Sequence, residues 1–441
     1  MIANRKARWG WMLFDWASQP YHTLLITFIF APYFTSAVAE SPEQGQATWG
    51  YMTAVAGVII ALMAPFLGAM ADATGPRKPW IALFSVLYIA GSAALWLAVP
   101  GMENATIILV AFAIGLIGVE FATIFSNAML PDLSPRSETG RLSGSGWALG
   151  YVGGLVSLII MLLLLAENEH GQTLLGNAPI LGLDAEMREG TRSVGPLTAI
   201  WYVVFIIPFF LWVPDTARRV SVTGAIGKAM AELKQSIATL PSRPSFLSYL
   251  MSSMFYRDAL NGLYMFGGIY AAGVLGWSIT EIGIFGIIAA TAGAAGAYGG
   301  GFADSKLGPK PVITFTILIL IAVCFLIIST TPSSVLGISV AEGSALPNIS
   351  FYICGSLIGA AGGALQAASR TMVVVQAPKE RMTESFGLYA LVGKATAFLA
   401  PLLIAITTDV TGSQRIGVSP VILLFFIGLV LLAFVRNAAS D

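Results

Sequence analysis

The chain has 441 residues, of which 56% are hydrophobic and 10% are charged, and its formal net charge is zero. A soluble domain carries about 25% charged residues, so most of this chain must face lipid or other apolar helices. Zero net charge gives no electrostatic basis for binding nucleic acid. The two cysteines, Cys324 and Cys354, lie in apolar segments without metal-ligand spacing, and we expect neither a metal site nor a cofactor.

Twelve segments are apolar and long enough to cross a bilayer, which takes roughly 20 residues per helix. We number them spans 1 to 12, and in chain order they are residues 9–39, 46–71, 80–100, 105–130, 141–166, 196–214, 246–275, 280–303, 310–331, 349–376, 384–408 and 418–436. Asp15, Pro20 and His22 interrupt span 1, so it is read as a retained helix and not as the core of a cleaved signal. The sequence predicts an all-α integral membrane protein with twelve transmembrane helices.

The lysines and arginines at the ends of the spans and between them predict the orientation. Seventeen lie on the N-terminal side of the membrane, whereas three lie on the other side, namely Arg188, Arg192 and Arg415. Positively charged loops stay in the cytoplasm, so both termini are expected to be cytoplasmic in a bacterial inner membrane. Arg218 and Arg219 belong to a long segment whose alternating charges and apolar residues predict an interfacial helix.

A charged turn occurs twice at equivalent places. GAMADATGPRKPW (Gly68–Trp80) follows span 2, and GGFADSKLGPKPV (Gly300–Val312) follows span 8. Many solute carriers are built from such repeats. The chain is therefore predicted to form two pseudo-symmetric six-helix halves, residues 1–214 and 246–441, joined by a cytoplasmic linker at 215–245.

Twelve spans in two sixfold halves, with this turn after spans 2 and 8, resemble the major facilitator superfamily. The matching residues are Gly68, Asp72, Gly75, Arg77 and Lys78, then Gly300, Asp304, Gly308 and Lys310. Shorter motifs resemble its vacuole-effluxer-like branch, whose fungal members are implicated in moving amino acids out of vacuoles. These motifs are WMLFDWASQPY (Trp11–Tyr21), NAMLPDL (Asn127–Leu133), GSGWALGYVGG (Gly144–Gly154), QAASRTM (Gln366–Met372) and SFGLY (Ser385–Tyr389). The superfamily resemblance implies a central cavity lined by spans 1, 4, 7 and 10.

Six charged residues lie well inside the spans, where each costs from ~2.5 kcal/mol upward and is a candidate for function. Arg257 and Arg370 offer planar forks for a carboxylate. The predicted substrate-binding residues are Arg257, Asn261, Arg370, Gln366, Tyr21, Tyr264 and Asn127. The predicted proton-coupling residues are Asp15, Glu120 and Asp258, and Lys394 is a further intramembrane charge. The compatible alternative is a set of ion pairs between the halves that stabilises one conformation.

The duplicated turn is predicted to act as a gate. Its gating residues are Asp72, Arg77, Asp304 and Lys310. Each carboxylate ends a helix, where it opposes the helix dipole and needs a positive partner. Arg77 and Lys310 are local candidates. The superfamily resemblance implies another pairing, in which the N-terminus of span 11 faces Asp72 and that of span 5 faces Asp304.

The leading hypothesis is a monomeric secondary transporter in the lipid bilayer that works by rocking of the two halves. Its expected partners are a small polar organic solute, such as an amino acid, a short peptide or an organic anion, and protons. An exporter of amphiphilic or drug-like compounds is the alternative within the same class. An integral-membrane enzyme and a transport-dead sensor are the alternatives from other classes.

Overall fold

The computed structural model describes residues 4–168, 170–217, 222–277 and 279–436, so Arg218 and Arg219 lie outside the described residues. In chain order the spans are Arg5–Val38, Pro42–Thr74, Lys78–Ala94, Thr106–Ala128, Thr139–Ile160, Val194–Trp212, Pro244–Leu275, Ile279–Leu307, Pro309–Ser329, Leu346–Gln376, Lys379–Thr411 and Pro420–Ala433. Outside them lie a linker helix, Val222–Thr239, three short helices, Leu130–Leu133, Glu189–Arg192 and Gln414–Gly417, and an antiparallel strand pair, Ser334–Val335 with Ile338–Ser339. The predicted all-α architecture is confirmed.

Span 7 differs from the other spans in polarity. Within the described residues, eleven helices are long and apolar enough to cross a membrane, and span 7 is not among them. Its 32 residues match the others in length, but Arg257, Asp258 and Asn261 lie together near its middle. A long helix that carries charges at membrane depth is expected to turn them toward the protein interior or a water-filled cavity.

Proline and glycine set where several spans begin. Proline occupies the first turn of spans 2, 3, 7, 9, 10 and 12, where its missing N–H has no helical partner to lose. In the duplicated turn, Gly75 and Gly308 have φ angles of 99° and 83°. Only glycine adopts such angles without steric cost, which explains why both copies of the turn keep it.

Spans 1 and 11 are interrupted near a proline. Span 1 is α-helical over Arg5–Pro20 and then widens into π-type turns over Tyr21–Phe28. Span 11 consists of two helices, Met382–Ala395 and Leu399–Thr411, separated by a short turn. Pro20 and Pro401 explain both irregularities, because proline removes a helical hydrogen bond and its ring clashes with the preceding turn.

The two halves pack through small residues on one side of the bundle. An even number of crossings puts both chain ends on the same side, which we call the terminal face. There a Cβ on Gly68 of span 2 would lie 2.6 Å from the carbonyl oxygen of Thr383 in span 11. Likewise, a Cβ on Gly301 of span 8 would lie 2.7 Å from the carbonyl oxygen of Gly140 in span 5. Glycine thus allows close backbone approach between the halves, whereas the exact boundaries of the halves at 215–245 stay a prediction.

Candidate substrate pathway between the two halves

Arg370 of span 10 joins the two halves through a buried hydrogen-bond network. One terminal nitrogen, Nη1, lies 3.0 Å from Asp15 Oδ2 and 3.0 Å from Asn127 Oδ1. Nε donates to Ser143 Oγ at 2.9 Å, and Nη2 donates to the Ser143 carbonyl at 2.6 Å. The residue is only 4% exposed. Spans 1, 4 and 5 of the first half are therefore tied to span 10 of the second.

Two tryptophans enclose this guanidinium. Its carbon lies 4.6 Å from the ring centroid of Trp11 and 5.7 Å from that of Trp147. A Cβ on Gly146 would lie 2.6 Å from Asp15 Oδ2, so glycine at this position leaves room for the ion pair. Four motifs from separate parts of the sequence, WMLFDW, NAM, SGSGW and SRT, thus meet at one place.

These contacts change the predicted role of Arg370. Nearly all its N–H groups are occupied by protein acceptors, so in this conformation it is not a free receptor for a substrate carboxylate. Gln366, predicted to assist it from one turn away, does not bond it and lies beside Tyr151 instead. Asn127 and Asp15, predicted to bind substrate and protons, are both engaged by Arg370. The arrangement of Arg370, Asp15 and Asn127 matches the second reading of the intramembrane charges, in which ion pairs between the halves stabilise one conformation.

A second ion pair crosses between the halves near mid-membrane. Lys394 Nζ of span 11 lies 2.7 Å from Glu120 Oε1 of span 4. Their side chains are 27% and 22% exposed, so the pair borders open space, unlike the pair at Arg370. His22 and Arg257 lie close enough to interact with the Glu120 charge. We call Glu120, Lys394, His22 and Arg257 the midplane cluster.

Arg257 is the cation of this cluster without a carboxylate within ion-pair distance in the part of the chain described. Its Nη1 donates to the Tyr389 carbonyl at 3.0 Å, and its guanidinium carbon lies 4.1 Å from the centroid of the Tyr389 ring. The side chain is half-buried, and Asn261, one turn further along span 7, is exposed. The face of span 7 with Arg257 and Asn261 therefore offers unpaired positive charge and an amide.

Asp258, the neighbour of Arg257, does not share this environment. Its Oδ2 accepts a hydrogen bond from the Ala400 N–H at 2.9 Å, at the start of the second helix of span 11. The residue is 2% exposed. Asp258 therefore faces span 11 and not the midplane cluster, because successive residues point about 100° apart on a helix and Arg257 points to that cluster. Its proton-coupling role stays a prediction.

The two tyrosines that match in the repeat have different surroundings. Tyr21 is fully buried, and its hydroxyl donates to the Phe112 carbonyl at 2.6 Å within the first half. Tyr264 is 42% exposed and lies beside Tyr151 and Gln366. In this conformation Tyr21 packs inside the first half, and its substrate contact stays a prediction. Tyr264 stays a candidate.

At the terminal face, Asp72 binds the N-terminus of span 11. Its carboxylate accepts from the Thr383 N–H at 3.2 Å, the Thr383 hydroxyl at 2.7 Å and the Glu384 N–H at 2.9 Å. Arg77 lies 3.3 Å from Asp72 and 3.1 Å from Asp132. Both partners considered for Asp72, Arg77 and the span 11 N-terminus, are thus present together.

The second copy of the turn is built differently. Asp304 is buried against Gly140. The hydrogen bond from the span 5 backbone is made by the next residue, because the Arg141 N–H donates to Ser305 Oγ at 2.7 Å. Lys310 does not pair with Asp304. Its Nζ donates instead to the carbonyls that end span 12, at Ala433 and Val435, because Pro309 starts a new helix that carries Lys310 away.

Comparison with known protein families agrees with this geometry. The family described as "Vacuole effluxer Atg22 like" matches residues 44–440. The chain belongs to this family. It is 27% identical over 439 residues to the uncharacterized MFS-type transporter YxiO of Bacillus subtilis (strain 168), covering 98% of this chain and 95% of YxiO. Autophagy-related protein 22 of Cryptococcus neoformans is 22% identical over 289 residues, covering 63% of this chain and 47% of that protein.

Solved transporter structures share the fold of this Atg22-like chain. The human organic anion transporter MFSD10 matches with a TM-score of 0.70 at 14% identity, covering 97% of this chain and 99% of that one. The proton:xylose symporter XylE matches with a TM-score of 0.71 at 13% identity, covering 97% and 94%. FucP in its outward conformation matches with a TM-score of 0.67 at 15% identity, covering 97% and 98%. The protein is thus a major facilitator superfamily transporter with the expected two-half fold.

Sequence reasoning missed two residues that complete the Atg22-like centre. Ser143 holds Arg370 with both its hydroxyl and its carbonyl, and Trp147 covers the guanidinium. Ser143 directly precedes the glycine-rich motif Gly144–Gly154 and lies four residues, or one helical turn, before Trp147. A serine at that spacing from a tryptophan was the available signal. Nothing local in the sequence connects that turn to a residue 227 positions away.

Proposed function

We propose that the protein is a secondary transporter of a small polar organic solute that carries a carboxylate. An amino acid, a short peptide and an organic anion all fit this description. Transport proceeds by alternating access and is linked to protons. The membrane is a bacterial inner membrane with both termini in the cytoplasm, as the excess of Lys and Arg on that side supports.

The charge balance of the midplane cluster carries this proposal. Glu120 neutralises Lys394, and Arg257 contributes a second positive charge held only by a backbone carbonyl and an aromatic ring. An uncompensated guanidinium at membrane depth is costly. A bound carboxylate would supply the missing negative charge and match the planar fork of Arg257. The exposed Asn261 amide would be one turn away.

Alternating access requires that bonds between the halves break and re-form. In this conformation the terminal face is held by Arg370 and Asp72, with the Glu120–Lys394 pair nearer the middle of the membrane. Opening that face separates spans 10 and 11 from spans 1, 2, 4 and 5. With the proposed orientation, the present conformation is closed toward the cytoplasm.

Glu120 is the proposed proton carrier. Protonation removes its attraction for Lys394, leaving Lys394 and Arg257 together free to hold a carboxylate. Proton uptake and carboxylate binding then favour each other, which is the linkage that a proton-coupled carrier needs.

The first experiment tests the substrate class. Purified protein is screened by thermal shift against amino acids, short peptides, organic acids and lipophilic cations. Carboxylated ligands should stabilise the parent, and Arg257→Gln should weaken binding roughly 10- to 150-fold, as expected for a lost charge-assisted bond of about 1.5–3 kcal/mol. The control is Arg415→Gln, an exposed arginine on the opposite side from the terminal face. Binding at parent affinity by Arg257→Gln would disprove the assignment, and stabilisation by lipophilic cations alone would favour the drug exporter.

The second experiment tests proton linkage. Uptake of the identified ligand into proteoliposomes is measured with and without a pH gradient, in parent and Glu120→Gln. The parent should respond to the gradient, and Glu120→Gln should exchange substrate without responding to it. An equal gradient response in both proteins would remove Glu120 from the role, and no response in either would remove proton coupling.

A further inference from the structure

The break in span 11 interrupts the regular pattern of helical hydrogen bonds between the two halves of this span. The first helix ends at Ala395 and the second begins at Leu399, with Pro401 in its first turn. Pro401 has no N–H, so the Ala397 carbonyl loses the partner it would have in a continuous helix. Irregular backbone at membrane depth is tolerated where it is buried in protein or lines a cavity.

A buried carboxylate faces this break. Asp258 Oδ2 accepts from the Ala400 N–H at 2.9 Å, which fixes the side chain at the start of the second helix. Its other oxygen, Oδ1, is buried and has no hydrogen-bond partner. A carboxylate has lone pairs on both oxygens, and an unsatisfied buried oxygen of this kind is costly. Asp258 thus lacks a positive partner on one side.

A second orphaned oxygen belongs to the break itself. The Thr396 hydroxyl is buried and makes no hydrogen bond. Thr396 is the first residue after the end of the first helix of span 11. The nearest lysine in the sequence, Lys394, is engaged by Glu120 at 2.7 Å and so does not serve either oxygen. The Thr396 hydroxyl and the freed Ala397 carbonyl thus lie within four residues of Ala400, whose N–H holds Asp258.

We propose that Asp258, Thr396 and the unwound backbone of span 11 form a binding site for a sodium ion. Oxygen ligands of these three kinds suit a hard cation, and unwound carbonyls of broken helices coordinate sodium in secondary transporters. One carboxylate matches a single positive charge. In the chain as described, no group of three His, Cys, Asp or Glu side chains that could hold a metal ion is found.

The sodium site is independent of the proposed substrate and proton sites. Arg257 and Glu120 lie on the midplane cluster, whereas Asp258 points to the second helix of span 11. Bound sodium would join span 7 to both parts of span 11, the span whose first helix forms the terminal-face contact with Asp72. Sodium should therefore stabilise the conformation with the terminal face closed.

The test measures melting temperature in purified full-length protein at fixed pH and ionic strength, with sodium, potassium or choline chloride. Sodium should raise the melting temperature, and above the dissociation constant this rise should grow with the logarithm of the sodium concentration. Potassium and choline should give none. Asp258→Asn should abolish the rise. Asp409→Asn, which removes an exposed carboxylate on the second helix of span 11, should keep it.

Thr396→Val provides the second variant, because it removes the hydroxyl without changing the shape and keeps the proposal testable if Asp258→Asn does not fold. This variant should need at least ten times more sodium than the parent for the same rise in melting temperature. Equal shifts with sodium and potassium, an unchanged response in Asp258→Asn or Thr396→Val, or a response to pH alone would each overturn the site. Arg257→Gln should retain the sodium response, so failure of this proposal is separable from failure of the proposed function.

Discussion

Replacing Arg370 with alanine should open the terminal face. The substitution leaves the Asp15 carboxylate, the Asn127 amide and the Ser143 carbonyl without their shared donor. Breaking a buried ion pair by removing one partner costs about 3–5 kcal/mol. All three acceptors belong to the half opposite Arg370. They contact Arg370 only in the closed conformation, so the substitution destabilises that conformation. The closed population should fall by roughly 100- to 4,000-fold relative to the open one, at about 1.4 kcal/mol per tenfold change.

Spin-label distances across the terminal face measure this population. Labels at Ser137→Cys in the first half and Glu380→Cys in the second sit on exposed positions, and the native Cys324 and Cys354 are buried. The parent should show one short distance, and Arg370→Ala should add or switch to a longer one. Asp15→Asn should act in the same direction with a smaller effect, because the amide still accepts one hydrogen bond.

A matched control separates this effect from general loss of charge. Arg8→Ala breaks a partly exposed pair with Glu138 within the first half, which is worth about 0–1 kcal/mol, and should leave the distance unchanged. An unchanged distance distribution in Arg370→Ala would refute the reasoning, since it would show that the closed state does not depend on this network. Equal broadening in Arg8→Ala would show that the measurement reports nonspecific loosening.

Further predictions address the gate and the tyrosines. Asp72→Asn should weaken terminal-face closure about 10- to 100-fold, because an amide accepts with only one of the two atoms used here; an unchanged spin-label distance would contradict this. Gly68→Ala should also disfavour closure, since its Cβ meets the opposite half, whereas Gly57→Ala in the same helix has nothing within 4 Å and should be silent in the same assay. Tyr21→Phe should lower the free energy of unfolding by about 1 kcal/mol without changing the KM of transport. Tyr264→Phe should change the KM without changing the free energy of unfolding. The reverse pattern in transport and denaturation measurements would place Tyr21 at the substrate site.

The fold could be predicted from the sequence because the insertion of a helix into a membrane depends on the summed hydrophobicity of its own residues. Apolar length marks eleven of the spans among the described residues, whereas span 7, which carries Arg257 and Asp258, is marked by its length of 32 residues and not by its hydropathy. The duplicated turn identified the repeat because the φ angles of Gly75 and Gly308 demand glycine in both copies. The motifs that contain Trp11, Trp147 and Arg370 indicated the family, but not that these residues meet.

The candidate site was only partly accessible. Sequence singled out the six intramembrane charges and left two readings open, substrate contact or ion pairing. For Arg370 and Lys394 the tertiary structure shows the pairing, with Asp15 and Glu120 as partners 355 and 274 residues away. It also separates Arg257 from Asp258, neighbours in sequence that face opposite environments.

The sequence by itself determined that this protein spans the membrane twelve times in two related halves and which polar residues are buried there. The tertiary structure alone decided which of those residues meet. The physical reason is that the free-energy cost of burying a charge depends on the segment that carries it and can be estimated from that segment alone. Which group pairs with the charge depends on which face of another helix packs against it. Asp258 shows both parts: its cost was evident from span 7, but its partner, the broken end of span 11, became visible only when the two helices were packed together.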